Sequence, residues 1–276
     1  MGIELDLAGR VVVVTGGTRG VGAGIARAFL RAGARVVAAA RRPPDEPVTA
    51  AGRTADFHPL DLRDAPAVGA FFTGIADRYG RLDCLVNNAG GTPHRLLADA
   101  GPERHARVVE LNLTGALTAS LAAHAVMTEH RTPGSVIMIG SVSGGRPSPG
   151  TAAYGAAKAG LESLARSMAV EWAPDIRVNT LVLGMVRTEL SRLHYGDAAG
   201  VAAVGRTVPL GRLAEPDEAG DAAVFLASDR AAYITGASLL VHGGGERPAF
   251  LDAAAASGPP PDGADRTRPA DRTRPR

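Results

Sequence analysis

Apolar residues along the chain fall into short runs separated by longer amphipathic stretches. The runs are rich in valine, isoleucine and leucine without polar alternation, as expected for strands buried on both faces of a sheet. They lie at Val11–Thr15, Val36–Ala40, Leu82–Asn87, Ser135–Gly140, Val178–Leu183 and Ser238–Val241, with a weaker candidate near Thr54–Pro59. Helices are predicted between them, at Val21–Ala32, Ala65–Tyr79, Pro102–Glu129, Ala152–Trp172 and Pro216–Ala227. This alternation predicts an α/β fold, with a doubly wound parallel sheet of about seven strands and helices on both faces.

The pattern changes near the C-terminus. No linker or second domain is visible before residue 250, so residues 1–250 are predicted to form one domain. Residues 251–276 are predicted to be a disordered tail, because they are rich in proline and repeat Ala-Asp-Arg-Thr-Arg-Pro at 264–269 and 270–275. An inert extension is favoured over a functional tail.

Composition and charge argue against several classes of protein. The chain has no apolar run of about 18 residues and no signal-like N-terminus, so a cytoplasmic protein without a membrane span is expected. Cys84, the single cysteine, is expected to be buried, and the seven histidines show no ligand spacing that would predict a metal. The net charge of +2 arises in the tail, where five arginines oppose three aspartates, so the body is formally neutral. A nucleic-acid partner is therefore not expected.

A glycine-rich turn follows the first predicted strand and precedes the first helix. Glycines at this place let the backbone approach a pyrophosphate and leave the N–H groups of the helix N-terminus facing it. The sequence Thr15-Gly-Gly-Thr-Arg-Gly-Val-Gly22 therefore predicts a dinucleotide site of the Rossmann type. The alternative is a glycine-rich turn without a ligand.

The end of the second strand bears on which dinucleotide is bound. An acid at this point binds the ribose 2′-hydroxyl of NAD, whereas arginine accommodates the 2′-phosphate of NADP. Here the strand ends in Arg41 and Arg42, no carboxylate follows directly, and Arg19 lies within the glycine turn. NADP(H) is therefore predicted, with NAD(H) as the less favoured choice, although an arginine-rich chain can also place solvated arginines here.

One lysine stands out against 29 arginines. Lys158 lies four residues after Tyr154 on a predicted helix, and residues with this spacing share a helix face. A neighbouring ammonium favours a phenolate, so Lys158 is expected to lower the pKa of Tyr154. The alternative is a surface lysine near a core tyrosine.

With these motifs in order, the chain resembles the short-chain dehydrogenase/reductase family, and in particular its compact members similar to 3-oxoacyl-ACP reductases. The resemblance runs from about Leu5 to Gly244. It rests on the glycine turn, Asp61-Leu62, Asn87-Asn-Ala-Gly90, Asn112 in Leu-Asn-Leu-Thr-Gly, and Ser141 thirteen residues before Tyr154. It implies an enzyme with catalytic residues Asn112, Ser141, Tyr154 and Lys158. It further implies cofactor contacts at Gly16, Thr18, Arg19, Gly20, Val21, Gly22, Arg41, Arg42, Asp61, Leu62, Asn88, Ala89, Gly90, Tyr154, Lys158, Gly184, Val186 and Thr188.

The resemblance also implies a role for each catalytic residue. Tyr154 would be the general acid/base between a ketone and a secondary alcohol, and Ser141 would bind the substrate oxygen. Lys158 would stabilise the phenolate and hold the nicotinamide ribose, while Asn112 would hold a water that links Lys158 to solvent. Two departures are visible: Leu183 replaces the proline usual before Gly184, and His242 replaces an aspartate.

The substrate is not identified by the sequence. A substrate pocket is expected under a lid between Thr188 and Arg212, with contributions from Gly145–Gly150 and the Gly91–Leu97 loop. Its apolar candidates are Met185, Leu190, Leu193 and Tyr195, and its polar candidates are His94 and His194. A 3-oxoacyl thioester is the first expectation. Hydroxysteroid, terpenoid and polyketide ketones remain open, as does a non-catalytic NADP-binding sensor. The family resemblance implies a homotetramer or a homodimer, and Phe250 and Leu251 are expected to reach a neighbouring subunit.

Overall fold

Seven parallel strands form the central sheet of the protein in the computed structural model, which describes residues 5–250. In chain order the strands are β1 (Val11–Thr15), β2 (Arg35–Ala40), β3 (Thr49–Ala50), β4 (Arg53–Thr54), β5 (Asp56–Pro59), β6 (Cys84–Asn87), β7 (Gly134–Ser141), β8 (Ile176–Leu183) and β9 (Ser238–Val241). β3 and β4 pair as a small antiparallel hairpin. The others are arranged in the order β5-β2-β1-β6-β7-β8-β9. The predicted α/β fold with a parallel Rossmann-type sheet is confirmed.

Helices cover both faces of the sheet. They are α1 (Gly20–Arg31), α2 (Ala65–Tyr79), α3 (Pro102–Val109), α4 (Gly115–Glu129), α5 (Ala152–Glu171), α6 (Ser191–Tyr195), α7 (Ala198–Thr207) and α8 (Pro216–Ala227). The single helix predicted over Pro102–Glu129 contains a wider π-helical turn at Glu110–Thr114. The helices α6 and α7 and the β3–β4 hairpin are absent from the sequence-based prediction.

The strands divide the core into two layers, as the side chains of β1 show. Val11 and Val13 point to the face covered by α2, α4 and α5, whereas Val12 and Val14 point to the face covered by α1 and α8. All four are buried, and each such valine stabilises the fold by roughly 1.5–3 kcal/mol. Cys84 is buried in the second layer, as expected from the sequence.

The carboxyl ends of β1, β6, β7 and β8 lie along one edge of the sheet. Strand order reverses between β1 and β6, and in open α/β sheets a crevice forms at such a reversal and binds ligands. The predicted catalytic and cofactor residues follow these strand ends. Among residues 5–250 no helix is long and apolar enough to cross a bilayer. The predicted tail at 251–276 lies outside the described residues.

Candidate active site

The glycine turn between β1 and α1 has a backbone that larger residues could not adopt. Gly16 and Gly20 have φ values of +64° and +51°. A Cβ on Gly17 would lie 2.8 Å from the Val14 oxygen, and one on Gly22 would collide with the Gly16 carbonyl. The helix α1 begins without a side-chain cap and without an acid in its first turn. Its first N–H groups are therefore available to an anion, so the turn fits a dinucleotide pyrophosphate.

A threonine and an asparagine hold this turn against the neighbouring strand. Thr15 Oγ1 donates to the Val86 carbonyl (3.2 Å) and accepts from the backbone N–H groups of Asn88 and Ala89 (3.0 Å each). Asn88 Nδ2 donates to the carbonyls of Thr15 (2.9 Å) and Gly16 (3.2 Å). The side chain of Asn88, predicted to contact the cofactor, thus shapes the turn. Thr15 has an equal part in it and was not among the predicted site residues.

The three arginines predicted to bind the ribose phosphate lie in the glycine turn and directly after β2. Arg19, Arg41 and Arg42 are exposed, and none of them forms an ion pair within the described range 5–250. This fits the donor set that a 2′-phosphate requires.

Asp61 and Leu62, two of the implied cofactor contacts, have partners within the chain. Asp61 binds Arg63 through two hydrogen bonds of 2.9 and 2.5 Å, and this pairing lowers the pKa of Asp61 to about 2. Its carboxylate is therefore ionised and already paired. The Leu62 side chain is buried in the core, and its Cβ lies 3.1 Å from where a Cβ on Gly115 would stand.

The predicted catalytic residues converge at the end of β7 and the start of α5. The hydroxyl of Ser141, the last residue of β7, accepts a bond from the Ser143 N–H (3.2 Å) and opposes the rise that burial causes in the pKa of the nearby Tyr154 phenol. The Lys158 Nζ lies 5.5 Å from the Tyr154 ring centroid and donates to the Ile139 carbonyl at 2.7 Å. An ammonium has two further N–H groups with which it can bind a ligand. The structure therefore brings Ser141, Tyr154 and Lys158 together.

Burial is the largest cause of the pKa shifts of Tyr154 and Lys158. Burial raises the pKa of the Tyr154 phenol, the hydrogen bond from Ser141 opposes it, and the phenol of Tyr195 adds to the increase. Burial also lowers the pKa of Lys158 to about 8. The expectation that Lys158 lowers the tyrosine pKa is not met, because the apolar surroundings disfavour a charge on either group and the ammonium is bonded to Ile139.

Asn112 lies inside the π-helical turn and is almost fully buried. Its Oδ1 accepts from the Gly91 N–H (2.9 Å), and its Nδ2 donates to the carbonyls of Gly91 (2.9 Å) and Val108 (2.8 Å). The side chain thus joins the helix to the loop after β6. A Cβ on Gly90 would lie 2.5 Å from Asn112 Oδ1 and 3.5 Å from Lys158 Nζ. Asn112, Gly90 and Lys158 are therefore in mutual proximity.

The segment after β8 closes the crevice from the other side. Val186 pairs with Ala214, and Arg187 forms an exposed ion pair with Glu215 at 2.9 Å. Beyond them, Thr188 Cγ2 lies 3.3 Å from where a Cβ on Gly20 would stand, so this segment reaches the glycine turn. The two departures from the family pattern meet here, since a Cβ on Gly184 would lie 2.8 Å from the Cβ of His242.

The expected lid, residues 188–212, is built from α6 and α7. Leu193 is exposed, Leu190 is at the border of exposure, and Tyr195 is partly buried. The His194 ring lies 6.2 Å from that of Tyr195. His94, in the Gly91–Leu97 loop, has its ring in contact with Gly150 in the loop before α5, so these two predicted parts of the pocket lie side by side.

Comparisons with known proteins agree with this geometry. A family model described as enoyl-(acyl carrier protein) reductase matches residues 16–246. The chain is similar to a 3beta-hydroxysteroid dehydrogenase of Eggerthella lenta, with 35% identity over 87% of this chain and 94% of that one. It is similar to a 3-oxoacyl-[acyl-carrier-protein] reductase of Vibrio cholerae, with 36% identity over 87% and 98%. Its structure resembles the aldohexose dehydrogenase of Thermoplasma acidophilum, with a TM-score of 0.81, 30% identity and coverage of 92% and 98%.

Proposed function

Since the chain belongs to the short-chain dehydrogenase/reductase family of oxidoreductases, which use a nicotinamide cofactor, we propose that it interconverts a ketone and a secondary alcohol with NADP(H). The observation that carries this proposal is the group formed by Ser141, Tyr154 and Lys158 beside the glycine turn. The Ser141 hydroxyl acts on the Tyr154 phenol, which supports two neighbouring hydroxyl groups that can both reach one substrate oxygen.

In reduction, the carbonyl carbon accepts a hydride and the carbonyl oxygen accepts the phenolic proton of Tyr154. The nicotinamide, when bound, supplies that hydride. Ser141 donates a hydrogen bond to the substrate oxygen and stabilises the charge that develops there. The raised pKa of Tyr154 keeps its proton in place at neutral pH until the substrate oxygen can accept it. In oxidation each transfer runs in reverse.

Lys158 acts on the tyrosine once the proton has left. Its ammonium, 5.5 Å from the ring centroid, stabilises the phenolate, and its remaining N–H groups are placed to hold ribose hydroxyls. The side chain of Asn112 is committed to Gly91 and Val108, so its part is to position the loop next to Lys158. A water held by Asn112, as the family resemblance implies, would have to bind its backbone.

The choice of NADP(H) rests on arginine chemistry. Guanidinium groups bind phosphate through paired, charge-assisted hydrogen bonds, and the exposed Arg19, Arg41 and Arg42 lie in the glycine turn and directly after β2. Asp61, the nearest predicted acid, is paired with Arg63.

We also propose a cytoplasmic homotetramer, or failing that a homodimer. Leu121 on α4 and Val170 on α5 are exposed, as are Leu239 and Leu240 on the edge strand β9. Exposed apolar side chains on two separate faces suit two kinds of subunit contact. Phe250 is exposed as well, and Leu251 lies outside the described residues. Removal of residues 248–276 should weaken the assembly, and an unchanged tetramer of unchanged stability would rule out a role for Phe250.

The experiment is NADPH oxidation, followed by absorbance, with acyl thioesters, steroid ketones, cyclic diketones and simple sugars as candidate substrates. NADH is run in parallel. Turnover that prefers NADPH supports the proposal and ranks the substrate classes, among which a 3-oxoacyl thioester is the first expectation and hydroxysteroid, terpenoid and polyketide ketones follow. Tight NADPH binding without turnover of any class would favour a sensor on the same fold.

A further inference from the structure

A cavity of about 390 Å³ lies beside the catalytic serine, between the loop that follows β7 and the chain that follows β9. We call it the distal cavity. Val142, directly after Ser141, and Met185, directly after Gly184, form part of its apolar lining. Its ionisable lining residues are Arg146, Glu162, His242 and Glu246.

Two polar contacts organise these groups. Arg146 and Glu246 form an ion pair with 2.6 Å between Nη2 and Oε1, although 100 residues separate them in the chain. Ser238 Oγ donates to Glu162 Oε2 at 3.1 Å. The cavity therefore offers one guanidinium and two carboxylates along an otherwise apolar wall, and its fixed charge is negative when His242 is neutral.

The lining of the distal cavity places it next to the catalytic residues. Val142 directly follows Ser141, and Gly184 and Met185 directly follow β8. Electrostatic coupling runs the same way, since the charges of Arg146 and Glu246 act on the phenol of Tyr195, which in turn acts on Tyr154. A substrate whose carbonyl lies at Ser141 and Tyr154 can therefore extend into the distal cavity.

We infer that the distal cavity holds the body of the substrate, and that this body is neutral and bears a hydroxyl group. The inference rests on the proposed function and narrows its substrate class. A hydroxyl donates to a carboxylate and accepts from a guanidinium, so it can join the Arg146–Glu246 pair without disturbing its charge balance. A carboxylate would meet two like charges, and a plain alkyl chain would remove water from the ion pair without replacing its hydrogen bonds.

The test uses three ketones with one ring and different substituents: 4-(hydroxymethyl)cyclohexanone, 4-ethylcyclohexanone and 4-oxocyclohexanecarboxylate. Their binding to the wild-type protein is measured by calorimetry with whichever oxidised nicotinamide cofactor it binds, so that no reduction occurs. The hydroxymethyl compound should bind about tenfold more tightly than the carboxylate and about threefold more tightly than the ethyl compound.

Charge-neutral variants test the residues. In Glu162→Gln and Glu246→Gln the preference for the hydroxymethyl compound over the carboxylate should fall to about threefold or less. Glu171→Gln, a change at the exposed end of the same helix α5, should keep the tenfold preference. Melting temperatures of all variants verify folding.

Equal affinity for the three compounds, no binding of any, or a preference unchanged in both glutamate variants would overturn the inference. Turnover of the same compounds is a separate readout. If the compounds bind selectively but none is reduced with NADPH or NADH, the proposed reaction fails while the assignment of the cavity stands.

Discussion

Two parts of the crevice are held in place by different kinds of interaction. The catalytic floor consists of the glycine turn, Asn88–Gly91, Ser141 and the start of α5 up to Lys158. It is fixed by buried backbone hydrogen bonds and by glycines that exclude side chains. The substrate wall consists of residues 188–212 and 243–247. It is held by exposed ion pairs at its edges, such as Arg212–Glu218 and Arg146–Glu246, and by the backbone bond from the Leu210 N–H to the Gly243 carbonyl.

This difference assigns separate tasks to the two parts. Exposed ion pairs contribute only about 0–1 kcal/mol each, so the wall can change its side chains at small cost in stability. In the floor most buried polar groups depend on a specific partner, so a change there costs more; the buried charge of Lys158, which is itself unfavourable for stability, is the exception. Chemistry is therefore determined by the floor and substrate choice by the wall.

The largest effect should come from Lys158→Met in the floor. Activity should fall about 10²–10⁴-fold, because the phenolate of Tyr154 loses its stabilising charge. Stability should rise at neutral pH by about 3 kcal/mol, because burial lowers the pKa of Lys158 from 10.5 to about 8 and the wild type therefore carries an unfavourable buried charge.

The sign of this stability difference depends on pH. Between about pH 8 and 10.5 the unfolded chain binds the lysine proton and the folded chain does not, so wild-type stability rises through this window. The gap between wild type and Lys158→Met should be fully present below pH 8 and close above 10.5. Denaturant unfolding at several pH values measures it, and a variant less stable than wild type at pH 7 would contradict this account.

A smaller loss is expected from Gly90→Ala. The added methyl group would lie 2.5 Å from Asn112 Oδ1 and 3.5 Å from Lys158 Nζ, so the loop must shift away from the lysine. We expect kcat to fall roughly 10–100-fold, since small misplacements of this size carry such costs. Gly69→Ala is the control, because a methyl group there meets no atom within 4 Å in α2 and should raise stability by about 0.5–1 kcal/mol. Full activity in Gly90→Ala would show that the floor tolerates displacement.

Replacement of the ribose arginines should have a still smaller effect. In Arg41→Ala and Arg42→Ala the affinity for NADPH should fall about tenfold each, with little change for NADH, because only NADPH carries the 2′-phosphate. Arg53→Ala in the neighbouring hairpin serves as the control. Fluorescence titration with both cofactors measures the ratio, and equal losses for NADH and NADPH would count against the assignment of NADP(H).

The smallest effect is expected from Glu189, a residue of the wall that lies next to the glycine turn of the floor. Both carboxylate oxygens of Glu189 lie 3.7 Å from where a Cβ on Gly20 would stand, at the N-terminus of α1. Glu189→Gln removes a negative charge next to the proposed pyrophosphate site, so NADPH should bind up to about fivefold more tightly. Glu129→Gln, at the end of α4, should leave affinity unchanged. Weaker binding in Glu189→Gln would mean that this carboxylate supports the site.

Sequence patterns were sufficient to predict the structure where it depends on local signals. The limits of α2 were predicted exactly, because Asp64 caps its first turn and Gly80, with φ of +71°, ends it. The unpatterned strands predicted the parallel sheet. The residues of the floor could also be found from the sequence, because its glycines, Ser141, Tyr154 and Lys158 lie at fixed spacings.

Sequence patterns failed where structure depends on contacts between distant segments. The short helices α6 and α7 span only 5 and 10 residues, and the chain on either side of them is held by pairing with Ala214 and Gly243. The Arg146–Glu246 ion pair joins residues 100 positions apart, so no local sequence pattern predicts it. The raised pKa of Tyr154 escaped prediction as well, because it depends on burial by the folded chain rather than on the spacing to Lys158.

The central claim is that Tyr154 protonates a ketone as hydride arrives from NADPH. The most direct test is a single-turnover reaction with NADPH carrying deuterium at the transferred position, using the best ketone and comparing wild type, Tyr154→Phe and the exposed control Tyr233→Phe. We predict that wild type and Tyr233→Phe place deuterium on the carbinol carbon at equal rates. Tyr154→Phe should bind NADPH normally and transfer it 10²–10⁴-fold more slowly. Transfer at the wild-type rate in Tyr154→Phe, or an alcohol product without deuterium, would contradict the account.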